Sequence, residues 1–223
     1  MIKEENKMKV YLSPSAQEKN VGYGGFNEEF EMNLIADILD PRAKELGFVI
    51  KRNKRDMSLN QIIADSNKFD PDIHVAVHSN AGGGEGTEIW VMKKGYEAEK
   101  LAKTIYKHLA PLTPEKDRGI RESGNSLGET SRTNAPAVII EISFHDYKND
   151  AIWMKKHREE IAESILKGMC EYAGIEYKPK AEINPDVFYR VVTGSFNKKS
   201  NAADRVAALE KAGFDSFITV YKK

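Results

Sequence analysis

Cysteine is almost absent from this chain of 223 residues; Cys170 is the only one. No intrachain disulfide can form, so the fold has to stand on packing, with a metal as the one further aid. Long apolar runs are missing too. The opening MIKEENKMKVYL contains no signal-peptide core, and no stretch approaches the ~20 apolar residues of a membrane span. The chain therefore reads as cytoplasmic at synthesis, with no signal peptide and no stable membrane insertion, so a role outside the cell needs another exit route. Nor does one sign of charge dominate, since 34 basic side chains face 34 acidic ones. A free-standing nucleic-acid binder carries a marked basic excess, so this balance argues against nucleic acid as a partner.

What is present suffices for a core: 40% of the residues are hydrophobic, too many for a chain disordered throughout. Residues 1–7 are mostly polar and are left out of the fold. From Met8 onward strands and helices alternate. Strands are expected at Val10 to Leu12, Phe48 to Arg52, IHVAVHS, Thr87 to Met92 and AVIIEIS at 137–143. Helices are expected from Glu28 to Leu46, with Asn27 as N-cap and Pro41 as a kink or division, then Ser58 to Asn67, Glu97 to Leu109, and Asp150 to Ala173. The alternation predicts an α/β layer fold, and the apolar run AVII a strand covered on both faces. Near Gly174 the texture becomes linker-like, with Pro179 and Pro185 among charges. Three parts follow: a domain at 8–175, a linker at 176–186 and a small module at 187–223. That last part holds seven basic and three acidic residues, a net of +4, which leaves −4 for the remainder.

Active sites of open α/β sheets lie at the carboxyl ends of strands. His78 ends the strand IHVAVHS just before a glycine-rich turn, a position that suits a metal ligand or base as well as an ordinary polar strand end. Glu141 closes the run AVII, where a carboxylate needs a proton, a partner or a cation; a structural ion pair is the alternative. Glu28 and Glu29 open the first long helix, and capping explains at least one of them. His74 shares a strand face with His78 but stands ~13 Å away, too far for a shared metal, and reads as a packed residue. His145 falls within reach of the same edge, as a supporting residue behind the site or a plain loop residue. His108 and His157 sit on charged helical faces.

The ordered set VYLSPS, the helix-opening Glu, IHVAVHSNAGG, GTEIWV and PAVIIEISFHD resembles the zinc-dependent N-acetylmuramoyl-L-alanine amidases of the phage-endolysin and autolysin type, over about residues 8–175. The resemblance implies a twisted mixed sheet flanked by helices, a His–Glu–His zinc site and a catalytic Glu. Glu28 falls on the Glu ligand, with Glu29 the off-by-one alternative, His78 on the second His ligand and Glu141 on the catalytic carboxylate. It also implies a peptidoglycan hydrolase cutting the amide between N-acetylmuramic acid and L-alanine with zinc-activated water, acting on the cell wall after release. The departure is at the first His ligand: SPSAQEKN has none, and Lys19 stands in its place. An ammonium has no lone pair for zinc, and oxygens of Gln17 or Glu18 are poorer substitutes. A wall-binding protein with a broken metal site is therefore the competing reading.

The tail from Phe188 resembles half of a sporulation-related (SPOR) peptidoglycan-binding repeat. Its pattern predicts a βαβ module: a strand through Tyr189 and Val191, a helix stopped at Gly213, and a strand from Phe217 to Tyr221. Phe188, Tyr189, Phe196 and Phe217 are the candidate wall-binding residues. A half-repeat of ~37 residues cannot close a core alone, so pairing in a homodimer through this module is expected.

Overall fold

The structure is a computed structural model that describes residues 7–114, 117–180 and 192–220. The chain divides into two units, 1–180 and 181–223. In the first, six strands form one mixed sheet in the order β2-β1-β3-β6-β4-β5. These are β1 (Lys9–Pro14), β2 (Val49–Arg52), β3 (Ile73–Asn80), β4 (Thr87–Val91), β5 (Asp117–Glu122) and β6 (Ala137–Phe144). All neighbours run parallel except β4 and β6, which pair antiparallel. Helices α1 (Glu28–Glu45), α2 (Leu59–Phe69), α3 (Glu97–Leu109), α4 (Gly128–Ser131), α5 (Lys148–Lys156) and α6 (Arg158–Ala173) complete the layers. The expected mixed sheet flanked by helices is the fold observed.

The pleat of the sheet divides its residues by chemistry, because successive side chains point to opposite faces. One face presents Val10, Leu12, Val75, Val77, Val138, Ile140 and Ile89, which join α1, α3 and α6 in a single hydrophobic core. The other face presents Tyr11, His74, His78, Glu141, Glu88 and Trp90, by the same alternation and by the cross-strand register. Two shorter helices cover part of it, with α2 packed on β1 and α4 on β6. A sheet with one dry and one polar, partly covered face leaves room for chemistry on the second.

Several local expectations are corrected. Helix α1 runs through Pro41 without ending. Loss of one backbone donor costs less than the packing of Leu39 and Ala43, buried on either side of it. The single helix expected at 150–173 is two, α5 and α6, separated at His157, whose φ of −117° and ψ of 30° are not helical. Strand β5 and helix α4 are additions to the expected elements, since DRGIRE and GETS carry neither an apolar alternation nor a helical stripe. The first unit also continues past Gly174. Ile175 and Tyr177 pack on the core, and Arg42 Nη2 donates to the Lys178 carbonyl at 2.8 Å, so residues 176–180 belong to the domain rather than to the linker.

In the second unit, α7 (Lys199–Lys211) forms where a helix is expected. No strand forms among residues 192–220, so the expected strand from Phe217 is absent over its described part. A strand requires a neighbour to pair its backbone groups, and among the described residues of this unit none offers one. Phe188 and Tyr189 lie outside the described residues. Phe217 is 84% exposed, and Phe196 and Phe214 are exposed as well. Among the described residues, no helix is long and apolar enough to cross a membrane.

Candidate functional site

The site is built at the carboxyl ends of β1, β3 and β6. Parallel register sets Glu141 of β6 beside His78 of β3. Asn27 caps α1 by accepting from Phe30 N at 2.9 Å, which fixes Glu28 in the first turn, against the strand ends. Glu28 is buried. Its Oε1 accepts from His78 Nδ1 at 2.9 Å, and its Oε2 accepts from Asn20 Nδ2 at 2.5 Å.

The polar contacts extend from this pair in both directions. His78 Nε2 lies 3.5 Å from Glu129 Oε1, an ion-pair distance. Glu129 Oε2 is 2.7 Å from His74 Nε2, and His74 Nδ1 is 2.9 Å from Ser66 Oγ. On the other side, Asn20 Oδ1 is 3.1 Å from His145 Nε2. The His145 Nδ1 is 2.9 Å from Ser79 Oγ and 3.0 Å from the Ser79 carbonyl, and the ring stacks on Phe26 with centroids 5.6 Å apart. Gly22 makes room for this packing, because a Cβ there would stand 2.1 Å from the His145 carbonyl oxygen.

Burial and charge work against each other here. Burial alone pushes the Glu129 carboxyl up, but hydrogen bonds and charge from His74 and His78 outweigh it and hold it well below the usual carboxylate range. Glu28 shows the same balance, burial being overcome by His78, Asn20 and Ser15. For His78, burial disfavours the cation, while Glu129 and Glu28 raise its pKa well above the ordinary value. Glu141 has no such compensation: burial, opposed by His78 and reinforced by Glu28 and Glu88, pushes it up to about 7. Its Oε2 is out of contact with solvent and has no hydrogen-bond partner.

Residues 11–171 match the family described as N-acetylmuramoyl-L-alanine amidase. The chain belongs to this family. Among its relatives, an uncharacterised 38.4 kDa protein of Clostridium perfringens is 32% identical over 64% of this amidase-family chain and 43% of its own length. The N-acetylmuramoyl-L-alanine amidase CwlM of Bacillus licheniformis is 27% identical over 73% of this chain and 62% of its own, so the chain spans roughly half of these relatives. The endolysin of Bacillus phage SPP1 is 29% identical over 70% and 65%. In structure, the catalytic domain of CwlV from Paenibacillus polymyxa superposes with a TM-score of 0.69 at 20% identity, covering 76% of this chain and 99% of that one.

Within this amidase fold, Glu28, His78 and Glu141 come together, whereas Glu29 offers only its backbone carbonyl, to Asn33 Nδ2. Lys19 is exposed on the loop, as are Gln17 and Glu18. The residue that reaches Glu28 is Asn20, one position beyond Lys19. His145 stands directly behind Asn20 and is buried rather than a loop surface residue. His74 is packed as expected, stacked on Tyr11 at 5.3 Å between centroids. Glu129 carries no signal in the sequence; it sits in a polar stretch where nothing but its place on the short helix α4 distinguishes it.

Zinc in an open site takes three protein donors, preferably with imidazole nitrogens among them. Glu28 and His78 offer an oxygen and a nitrogen side by side, His145 offers a second nitrogen across Asn20, and the partnerless Glu141 Oε2 lies next to them. The donor types, imidazole and carboxylate, are ones that zinc accepts, although both His145 nitrogens are engaged here, by Asn20 and Ser79. The Asn20 carboxamide bridges Glu28 and His145 and so holds the donors apart; among the described residues no three His, Cys, Asp or Glu side chains form a metal-holding group.

Replacing Glu129 by Gln removes the negative charge between His74 and His78 while keeping the shape. Breaking a buried pair costs about 3–5 kcal/mol, so urea unfolding of Glu129→Gln is expected to show a loss of that size. Unchanged stability would show that the histidines do not depend on this charge.

Proposed function

We propose that the chain is a peptidoglycan hydrolase that cleaves the amide between N-acetylmuramic acid and the L-alanine of the stem peptide. The single observation that carries the reading is a buried Glu141, its Oε2 without a hydrogen-bond partner, beside the Glu28–His78 pair in a chain of the amidase family. Glu28 and His78 would hold a zinc ion, with His145 as third donor once the Asn20 side chain yields. When bound, zinc polarises the scissile carbonyl and lowers the pKa of its water.

The chain's own part in the reaction is proton traffic and positioning. Glu141, with its pKa near neutrality, takes the proton of the attacking water and returns it to the leaving alanine nitrogen, the work of a general base that then turns acid. Glu129 and His74 brace His78 from behind, which fixes the direction of its Nδ1 toward Glu28. The partly uncovered polar face suits a polymer, since a glycan strand with its peptides can lie across it.

Glu141→Gln is nearly isosteric and removes only charge and proton transfer. It is expected to lower release of alanine amino termini from purified peptidoglycan by about 10²–10⁴-fold with the fold unchanged. Retention of more than about a tenth of the activity would remove Glu141 from the role of base.

Zinc titration by calorimetry separates an intact from a broken metal site. His145→Ala is expected to weaken zinc binding and Lys19→Ala to leave it unchanged; in the cobalt-loaded protein, His145→Ala shifts the visible bands because a nitrogen donor is lost. Equal affinities for wild type and His145→Ala would rule out His145 as a ligand. Absence of zinc binding in the wild type would favour the competing reading of a wall-binding protein, in which an amide at position 20 has ended metal chemistry.

The second unit is proposed to serve wall binding and homodimer formation, the wall being reached after release from the cytoplasm. Exposed Phe214, Phe217 and Val220, on a unit whose helix α7 has no buried residue, support this role. Full-length protein is expected to be dimeric by light scattering and to sediment with insoluble peptidoglycan, and a chain ending at Lys180 to be monomeric and to remain in solution. Identical behaviour of the two would remove both roles from the second unit.

A further inference from the structure

Next to Glu141 on the polar face stands a second buried carboxylate with a different set of partners. Glu88 of β4 is paired with Glu141 in antiparallel register and is 2% exposed. Its Oε1 accepts from Asn80 Nδ2 at 2.8 Å and from Trp90 Nε1 at 3.0 Å. Its Oε2 accepts from Arg118 Nε at 2.7 Å and faces Arg121 Nη1 at 3.4 Å. Glu88 is thus a saturated hub, with both oxygens engaged twice.

The two guanidinium groups are also held by aromatic rings. Arg118 lies over Phe144 at 4.9 Å and Arg121 over Trp90 at 5.2 Å. Stacking and the shared carboxylate fix both groups in place while leaving them partly open, with side chains 29% and 45% exposed. Two positive charges on one negative charge leave a net of +1. Among the described residues, neither arginine has another acidic partner. A preorganised, partly exposed arginine pair with surplus charge is built to receive a carboxylate.

Position narrows the choice of carboxylate. Two strand spacings of ~4.8 Å separate β6 from β5, so the arginine side chains start ~10 Å from Glu141 and can reach back toward it. In an extended peptide, a carboxylate on the residue after the alanine lies ~7 Å from the alanine nitrogen, about two residue rises. With the scissile amide at Glu141, that carboxylate falls in the arc that the arginines span.

Resting on the hydrolase reading above, we propose that Arg118 and Arg121 form a subsite for a free α-carboxylate on the stem-peptide residue that follows the alanine, so that the enzyme distinguishes acid from amide at that place. Trp90 and Phe144 position the guanidinium groups, and Glu88 holds both at once. Amidation of the carboxylate removes the charge that the surplus cation would meet.

The test compares N-acetylmuramoyl-L-alanyl-isoglutamate with its isoglutamine counterpart, both as ligands by calorimetry and as substrates. Wild-type protein is expected to favour the acid about ten- to a hundredfold in affinity and in kcat/KM. Arg121→Gln should bring the ratio close to one by losing affinity for the acid, with the amide unaffected. Arg121→Lys should keep an intermediate ratio, since it retains charge without the planar fork. Arg118→Gln provides a second variant should Arg121→Gln unfold. Equal treatment of acid and amide by wild type, or an equal loss for both in Arg121→Gln, would overturn the subsite. Failure of wild type to cleave either compound is a different outcome: it rejects the hydrolase reading, while the binding ratio still decides whether the arginines select a carboxylate.

Discussion

Sharing of charge between Glu28, His78 and Glu129 is the interaction on which the rest of the site depends. Any one of these groups alone would be expelled from the interior or neutralised there. Together they set one imidazole between carboxylates that come from α1 and α4, hydrogen-bonded to Glu28 through Nδ1 and at ion-pair distance from Glu129 through Nε2. Two distant segments, near residues 28 and 129, are thereby tied to the middle strand of the sheet. The first turn of α1, the loop carrying Asn20 and the end of β6 are placed by what they contact around that imidazole. Glu141 is placed by the sheet instead, which explains why its carboxyl remains without the compensation that the other two enjoy.

Legibility in the sequence follows the strength of the local signal. Strands β1, β3, β4 and β6 stand out because apolar and β-branched residues repeat with little interruption, and α1, α2 and α3 because their buried positions recur at helical spacing. His78, Glu28 and Glu141 are visible because each breaks an expectation, a polar group closing an apolar run or opening a helix. Asn20 escapes by one position, in a loop whose spacing carries no period. Glu129 and Glu88 escape for another reason: a carboxylate in a polar or alternating segment looks solvated until the fold supplies His74 on one side and a pair of arginines on the other. The separation of α5 from α6 turns on the backbone angles of one residue, His157, which composition does not encode.

The reversal of β4 shapes the polar rim. In an all-parallel sheet, this edge would collect only the carboxyl ends of strands. Because β4 runs antiparallel to β6, its first residues lie beside the last residues of β6, and Glu88 meets the neighbourhood of Glu141. The glycine-rich turn between β3 and β4 makes this reversal in few residues. Its amides at Gly82 and Gly83 donate to Asp146 and that of Gly86 to Asp150, so the segment following β6 holds the turn that leads into β4.

Among the described residues, strand β5 ends the sheet with no strand on its outer side. An edge strand of this kind is a template on which another chain can pair. In β5 four of six residues are charged, Asp117, Arg118, Arg121 and Glu122, and charge is what deters such pairing. The arginines that meet Glu88 on the polar face therefore also guard the border of the sheet. A neutral, β-prone replacement at either position would take a guanidinium away from the buried Glu88 and at the same time make the edge adhesive, so the burial of that carboxylate is coupled to protection of the edge.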